Sequence, residues 1–526
     1  MSEPQPSTRN LTHLPPEILQ NVLSWLNPAS FVPVSQVCRL FHNFTRDNRP
    51  LFRQVYLSQF DTPRGEEDLD WRKEVYDFIK LEAILAARTS SRKQVTSVPF
   101  ISDTTCRLLA HAVCSPDGEN PSRNVEKLRE LFSDDDTVET IMQQSSLFKR
   151  IKDVGNHSQY QPHHGSDERH QQSAKLHVLY GKPILKSGRL RSDRTYPFAC
   201  SKVYDLREYT QQTRWGPFRD DGTDRVDWEK LEAICIVLRK NLARSVARSD
   251  IFSNIWDTPF GGSFPRSFIP KSIGETSDLD ANDPYGVSGS WYRVVCFLDY
   301  SEFFHFNFSL DGLVHAGMPR PPLDVGEATR ILIMTIHVTR IEPPGPDDGQ
   351  GLPVVYFDGE SRSLDDPFDA NANSDLRGSV RLTKEGEVRW TTTSVFNGQE
   401  RWRSEGVQVG GVGSARGVIG NWFDRDYDVH GPAGPTAFWK AADGDDPQRA
   451  LVERGLADLP GFHFEAHFLP GDGLFADHSD DDEEEDDEDA LTHDGLQELL
   501  QEEIPHLLAE AGIDLSEMLQ HTASYQ

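Results

Sequence analysis

The sequence predicts an α+β protein with a helical N-terminal part, an antiparallel β-barrel-like domain in the C-terminal half and a disordered acidic tail. Three observations support this prediction. Apolar residues recur at helical spacing in several stretches of the first half. From Ser288 the pattern changes to short stretches rich in aromatic and β-branched residues, separated by turn signals. Ten consecutive carboxylates, Asp480 to Asp489, must remain solvated and extended by mutual repulsion.

Charge and composition narrow the range of partners. The 526 residues include 54 Lys and Arg against 84 Asp and Glu, a net charge of −30. Nucleic-acid affinity depends on cations that neutralise phosphates, so nucleic acid is not an expected partner. No apolar run approaches the roughly 20 residues of a membrane helix, so membrane contact is not expected either. The six cysteines form no C-x-x-C pair and no secretory signal is evident, which favours the cytoplasm or nucleus.

The first predicted helix covers Leu14 to Leu26, LPPEILQNVLSWL. Its two prolines suit a first helical turn, where the missing N–H would have no partner. A second helical pattern runs from Val34 to Phe44, and a short third piece, PLFRQVYL, follows. Three short helices cannot bury all these apolar side chains among themselves. Helix pattern alone favours packing onto the rest of the chain over docking onto a partner.

The order of these residues resembles the F-box. Leu14-Pro15-x-Glu17-Ile18-Leu19 and Val34-x-x-Val37-Cys38-Arg39-x-Phe41 stand at the spacing of that family, over about 47 residues. The resemblance implies a three-helix module that binds a Skp-type adaptor and, through it, a cullin-RING ubiquitin ligase. It implies an adaptor interface formed by Leu14, Pro15, Ile18, Leu19, Val22, Leu23, Leu26, Val34, Val37, Cys38 and Phe41.

The middle of the chain carries no chemistry that the sequence can identify. A helical linker is predicted over 58–150, after an F-box over 8–57, and a flexible His/Gln-rich loop over 151–178. Zinc is not expected in that loop, because the spacing of its histidines matches no standard ligand set. These histidines are His157, His163, His164, His170 and His177. Asp220 to Asp224 lacks the ligand pattern of an EF-hand, so neither metal nor cofactor is predicted.

The sequence pattern of the C-terminal half predicts about seven or eight strands. Lys384-Glu385-Gly386 and Asn397-Gly398 are hairpin signals between alternating stretches. Such a meander predicts a closed β-barrel or a sandwich, and a barrel would remove exposed edges. We expect a substrate-binding domain over 179–470, with its barrel core at about 285–442, and an acidic tail with weak helical tendency over 471–526.

Part of this half is similar to the C-terminal region of fungal F-box proteins and, more distantly, to the barrel of the F-box only protein 31 type. The similarity rests on Arg389-Trp390, Trp402 to Gln408, Gly417-x-x-Gly420-x-Trp422 and Phe438-Trp439. It implies that the barrel holds the target, with Trp390, Trp402, Trp422, Arg403 and Gln408 as candidate contacts. Strand alternation places Arg401 and Arg403 on the face opposite Trp402 unless a bulge intervenes.

The function expected from these patterns is that of a substrate receptor in an SCF-type (Skp–cullin–F-box) ubiquitin ligase. No nucleophile–base arrangement stands out, so no catalysis is expected. One alternative is an F-box scaffold that does not lead to degradation. Another is a barrel that binds a small apolar ligand.

Overall fold

The computed structural model describes residues 11, 14–65, 69–86, 91–115, 121–154, 168–182, 189–243, 258–269, 277–309, 318–364 and 372–443. The predicted acidic tail, 471–526, lies outside these ranges, as do His157, His163 and His164. Within the ranges, no helix is both long and apolar enough to cross a membrane. All six cysteines are free thiols.

Four short helices form the N-terminal part. They are α1 (Pro16–Ser24), α2 (Pro28–Val37), α3 (Arg39–Arg46) and α4 (Arg49–Gln59). The side chain of Asn27 caps α2 by accepting a bond from the Ser30 N–H, and Asn48 caps α4 in the same way. The three predicted helices become four because Cys38 adopts an extended backbone, which divides the second predicted helix into α2 and α3.

Nine further α-helices lie between residues 71 and 242 of the described chain. They are α5 (Trp71–Ala86), α6 (Ser91–Thr96), α7 (Val98–Ala110), α8 (Arg123–Leu131), α9 (Asp135–Met142), α10 (Ser146–Val154), α11 (Glu168–Tyr180), α12 (Arg189–Val203) and α13 (Trp228–Leu242). The Asp227 carboxylate caps α13 by accepting bonds from the N–H groups of Glu229 and Lys230.

The loop predicted over 151–178 is wrong at both ends, because α10 continues to Val154 and α11 begins at Glu168. Residues of α11 that looked solvated are buried and hydrogen-bonded. The Ser173 hydroxyl donates to the Ile141 carbonyl over 2.8 Å, and His177 Nδ1 lies 2.6 Å from Glu232 Oε1. The predicted boundary at residue 179 therefore falls inside a helix that packs against α7, α9 and α13.

Eight antiparallel strands form a closed barrel in sequence order, so the barrel prediction is confirmed. The strands are β1 (Gly289–Leu298), β2 (Glu327–Glu342), β3 (Val354–Ser363), β4 (Ser374–Leu382), β5 (Val388–Phe396), β6 (Gln399–Gln408), β7 (Val418–Asp424) and β8 (Ala433–Ala442). Two short helices, α14 (Asp278–Asn282) and α15 (Tyr300–Phe308), flank β1. The barrel closes where β1 pairs with β8, with Tyr292 opposite Trp439.

Alternation along the strands creates two separate cores. Outward side chains of β1, such as Tyr292 and Val294, join the core that continues into the helices. Helix α13 packs against β1, β2, β7 and β8, which fixes the barrel to the helical part. Inward side chains at one end of the barrel form the second core, in which the rings of Trp291 and Trp390 lie 5.1 Å apart. That end of the barrel is filled.

Candidate functional site

The opposite end of the barrel contains a cavity of about 290 Å³. Its walls are inward side chains at the strand ends, among them Phe297 of β1, Phe396 of β5 and Trp422 of β7. Because the strands alternate, these side chains continue the same inward rows that fill the other end. The cavity is therefore the unfilled half of the barrel interior.

Two of the predicted tryptophans line this cavity. The rings of Trp402 and Trp422 meet edge to face, with centroids 5.2 Å apart. Trp422 is fixed by its indole Nε1–H, which donates to the Cys296 carbonyl over 3.0 Å. Trp402 is more exposed. Rigid aromatic surface of this kind is common where a protein anchors a peptide.

The two arginines beside Trp402 take different positions. A bulge between Ser394 and Val395 leaves Arg401 without a pairing residue on β5. Arg401 lines the cavity, and its guanidinium lies 5.0 Å from the Trp402 ring. Strand alternation therefore does not apply to Arg401. Arg403 stays on the outer face, where it donates to Glu405 Oε1 over 3.0 Å. The candidate Arg403 thus lies outside the cavity.

Two other candidates belong to the filled end. Trp390 and Gln408 are each 1% exposed, and the indole Nε1–H of Trp390 donates to Gln408 Oε1 over 3.2 Å. Neither lines the cavity. Their polar atoms pair with each other, and the rings of Trp291 and Phe438 pack against Trp390.

The sequence analysis missed the arginines at positions 293 and 330, which also line the cavity. Arg293 is 5% exposed, and its burial lowers its pKa to about 10. Its Nε–H donates to Thr436 Oγ1 over 3.0 Å, and its Nη2 to Ser404 Oγ over 3.4 Å. The sequence did contain a signal for Arg293. It lies two residues from both Trp291 and Val295 in β1, and alternate residues of a strand share one face, so Arg293 points into the barrel with them.

A second exposed feature lies on the N-terminal helices. Seven apolar side chains are exposed there, and together they form what we call the N-terminal apolar surface: Leu11, Leu14, Ile18, Val22, Trp25, Val37 and Leu40. Ile18, Val22 and Trp25 recur at helical spacing on α1. Their exposure is large, at 49% for Ile18 and 81% for Trp25. Exposed patches of this kind mark interaction sites in soluble proteins.

The eleven residues predicted to bind an adaptor divide between this surface and the core. Leu14, Pro15, Ile18, Val22 and Val37 are exposed, whereas Leu19, Leu23 and Phe41 are buried in the helical core and Leu26, Val34 and Cys38 pack partly against it. The buried members pack into the core in which α1 lies against α4 and α3 against α2. Only the exposed members are free to contact a partner.

Comparison with known proteins identifies this segment. Residues 11–58 match the family model described as F-box-like. These residues form an F-box-like domain. No curated protein and no solved structure matches the chain.

One buried carboxylate joins the F-box to the helices that follow it, in addition to the apolar packing of α2 and α4 against α5. Asp61 lies just beyond α4 and is 7% exposed. Its carboxylate accepts bonds from the N–H groups of Val113 and Arg123, each over 3.0 Å, and from the Ser122 hydroxyl over 2.5 Å. These partners lie after α7 and at the start of α8. Asp61 therefore contributes buried polar contacts to the junction between the F-box and the helical part.

Three residues of the N-terminal apolar surface were absent from the predicted interface, namely Leu11, Trp25 and Leu40. Trp25 lies three residues after Val22, and Leu40 three residues after Val37. Trp25 continues the exposed face of α1 at helical spacing, and that spacing was the signal that could have added it to the predicted interface. Leu40 lies on α3, which the extended backbone of Cys38 separates from Val37 of α2.

Proposed function

We propose that this chain is the substrate-recognition subunit of an SCF-type ubiquitin ligase, acting in the cytoplasm or nucleus. The F-box would bind a Skp-type adaptor and thereby a cullin-RING ligase. The barrel cavity would bind the target protein. The observation that carries the proposal is the F-box-like domain, whose exposed apolar surface is distinct from the side chains that form its core.

The exposed surface suits a protein partner. Trp25, Val37 and Ile18 present apolar area that no described part of the chain covers. Aromatic and aliphatic side chains of this type dominate the energetics of protein interfaces. Because the buried members already hold the helices together, a partner could cover this surface without rearranging the F-box.

The chain would contribute proximity rather than chemistry. Binding the target at the barrel while the F-box is attached to the ligase makes ubiquitin transfer effectively intramolecular, and well-oriented intramolecular reactions gain large effective concentrations. Two connections would maintain the geometry, namely the contacts of Asp61 behind the F-box and the packing of α13 against the barrel.

The test is a binding assay between the purified full chain and a Skp-type adaptor. In the variant Ile18→Ala/Val22→Ala, two side chains that are about half exposed lose their apolar contacts. Fully burying such a side chain is worth about 1.5–3 kcal/mol, so we expect a loss of about 2 kcal/mol, or roughly 30-fold in affinity.

A matched control removes the same amount of exposed apolar surface elsewhere. The variant Leu279→Ala/Val429→Ala changes two exposed residues outside the F-box. It should bind the adaptor like wild type. Wild-type protein that fails to bind the adaptor, or equal binding by both variants, would contradict the proposal.

A further inference from the structure

The charge of the cavity is opposite to that of the protein. Arg293, Arg330 and Arg401 line it, and no Asp or Glu is among the described residues of its wall. The chain as a whole carries a net charge of −30. Three guanidinium groups around one cavity attract anions and repel cations, and the low-dielectric wall strengthens this effect.

The deepest of the three arginines has no charged partner. The guanidinium of Arg293 contacts only the hydroxyls of Thr436 and Ser404, and within the described chain no carboxylate lies within ion-pair distance of it. No described residue accepts a hydrogen bond from Nη1 of Arg293. Buried charges in proteins are normally paired, because removing an ion from water is costly. A cation held here without an anion is therefore suited to binding one.

A second polar group in the same wall lacks a partner. Ser361 is 2% exposed and lines the cavity, and its Oγ has no hydrogen-bond partner among the residues that the structure describes. A hydroxyl that is buried without a partner carries a desolvation cost that a ligand atom could remove. Ser361 thus supports the same assignment independently of the arginines.

The other two arginines lie against aromatic rings. The Arg330 guanidinium is 5.3 Å from the Phe297 ring, and that of Arg401 is 5.0 Å from the Trp402 ring. Arg330 is half-buried and Arg401 is exposed, so Arg293 is the one buried cation among the described residues of the cavity wall. A single guanidinium with free donors matches one carboxylate, which it can bind through two parallel bonds. A phosphate dianion would leave part of its charge uncompensated at this depth.

We propose that the barrel cavity binds a carboxylate of the target protein, with Arg293 as the anion-binding residue and Trp402 and Trp422 contacting the apolar atoms beside it. This inference rests on the proposed function and names the chemistry that the receptor would recognise. The carboxylate can come from an Asp or Glu side chain or from the end of a chain. The chemistry at Arg293 is the same in both cases.

The test uses fluorescent nonapeptide pools and fluorescence anisotropy with the purified full chain. All positions are random uncharged residues except the central one, which is fixed as Glu, Gln or phosphoserine in peptides with an amidated end. A fourth pool has central Gln and a free terminal carboxylate. We expect the Glu pool, the free-terminus pool or both to bind at least about tenfold more tightly than the amidated Gln pool, since charge-assisted buried pairs contribute more than neutral ones. Which pool binds identifies the source of the carboxylate.

The variant Arg293→Met should abolish this preference, whereas Arg362→Met, which removes an arginine on the outside of β3, should retain it. The thermal midpoint of Arg293→Met should equal or exceed that of wild type, because an apolar side chain replaces an unpaired buried ion. A lower midpoint would show that Arg293 is structural and would overturn the proposal. So would equal binding of the Glu, free-terminus and Gln pools, or tightest binding of the phosphoserine pool.

Adaptor binding is measured on the same protein samples. If Arg293→Met and wild type both bind the adaptor but no pool is preferred, the carboxylate site is refuted and the proposed function is unaffected. If wild type does not bind the adaptor, the proposed function fails, whatever the peptide pools show.

Discussion

Replacing Asp61 by alanine tests whether one carboxylate fixes the F-box to the helices behind it. The substitution leaves the N–H groups of Val113 and Arg123 and the hydroxyl of Ser122 without their acceptor. Each unsatisfied buried group costs about 1–3 kcal/mol. Because the Arg123 side chain is 46% exposed, water can reach this edge, and we take the lower end of that range for each group.

The three groups together give a loss of about 3 kcal/mol, which is a large part of the roughly 5–15 kcal/mol that stabilises a typical domain. We expect a lower unfolding midpoint for Asp61→Ala in thermal and urea unfolding followed by circular dichroism. Under conditions in which the variant is folded, its affinity for the adaptor should remain within about twofold of that of wild type. The N-terminal apolar surface is intact in this variant, so the binding free energy should be nearly unchanged.

Asp47→Ala is the matched control. Asp47 is 83% exposed and lies 3.8–3.9 Å from two exposed arginines, so its ion pairs contribute about 0–1 kcal/mol. Its unfolding midpoint should stay close to that of wild type. If Asp61→Ala and Asp47→Ala unfold at the same midpoint, the reasoning about the buried carboxylate is refuted.

Two further predictions concern the barrel and the helical core. Gly417→Ala should destabilise the protein by about 1–3 kcal/mol or more in urea unfolding, because its φ is +97° and a Cβ would lie 2.5 Å from the Trp439 ring. Gly386→Ala, with φ of +87° and open space around it, should cost only about 1 kcal/mol, and equal losses would contradict this reasoning. Burial raises the pKa of Asp205, but hydrogen bonds and charges from Arg207 and Arg320 outweigh it and lower that pKa overall. The stabilisation that ionised Asp205 gives the folded protein is present above the unfolded pKa of about 3.9 and is lost as the pH falls through the pKa of the folded protein. The unfolding midpoint of wild type should therefore fall more between pH 5 and pH 3 than that of Asp205→Asn.

Local signals predicted the elements whose geometry is decided locally. Pro15 and Pro16 mark the start of α1, and the signals at Gly386 and Gly398 became turns with positive φ. The alternating pattern of the C-terminal half predicted the strands that close into a barrel. These features depend on a few adjacent residues, which the sequence shows directly.

Features decided by distant contacts could not be predicted. Helix α11 looked like a solvated loop, because its polar residues Ser173 and His177 find partners on α9 and α13, which are distant in sequence. Arg401 reaches the cavity through a bulge that pairing with β5 reveals. Leu19 and Ile18 are adjacent and equally apolar, yet one is buried and the other exposed, since the orientation of α1 against the core decides between them.

The measurement that tests the central claim most directly is quantitative affinity purification with three forms of the tagged full chain. They are wild type, Ile18→Ala/Val22→Ala in the N-terminal apolar surface, and Trp402→Ala/Arg293→Met in the cavity. The surface variant should lose the adaptor and cullin but keep a set of other captured proteins. The cavity variant should show the reverse, and the captured proteins should live longer in cells that carry either variant. Equal recovery of adaptor and cullin by wild type and the surface variant would contradict the claim that this chain is a ligase receptor.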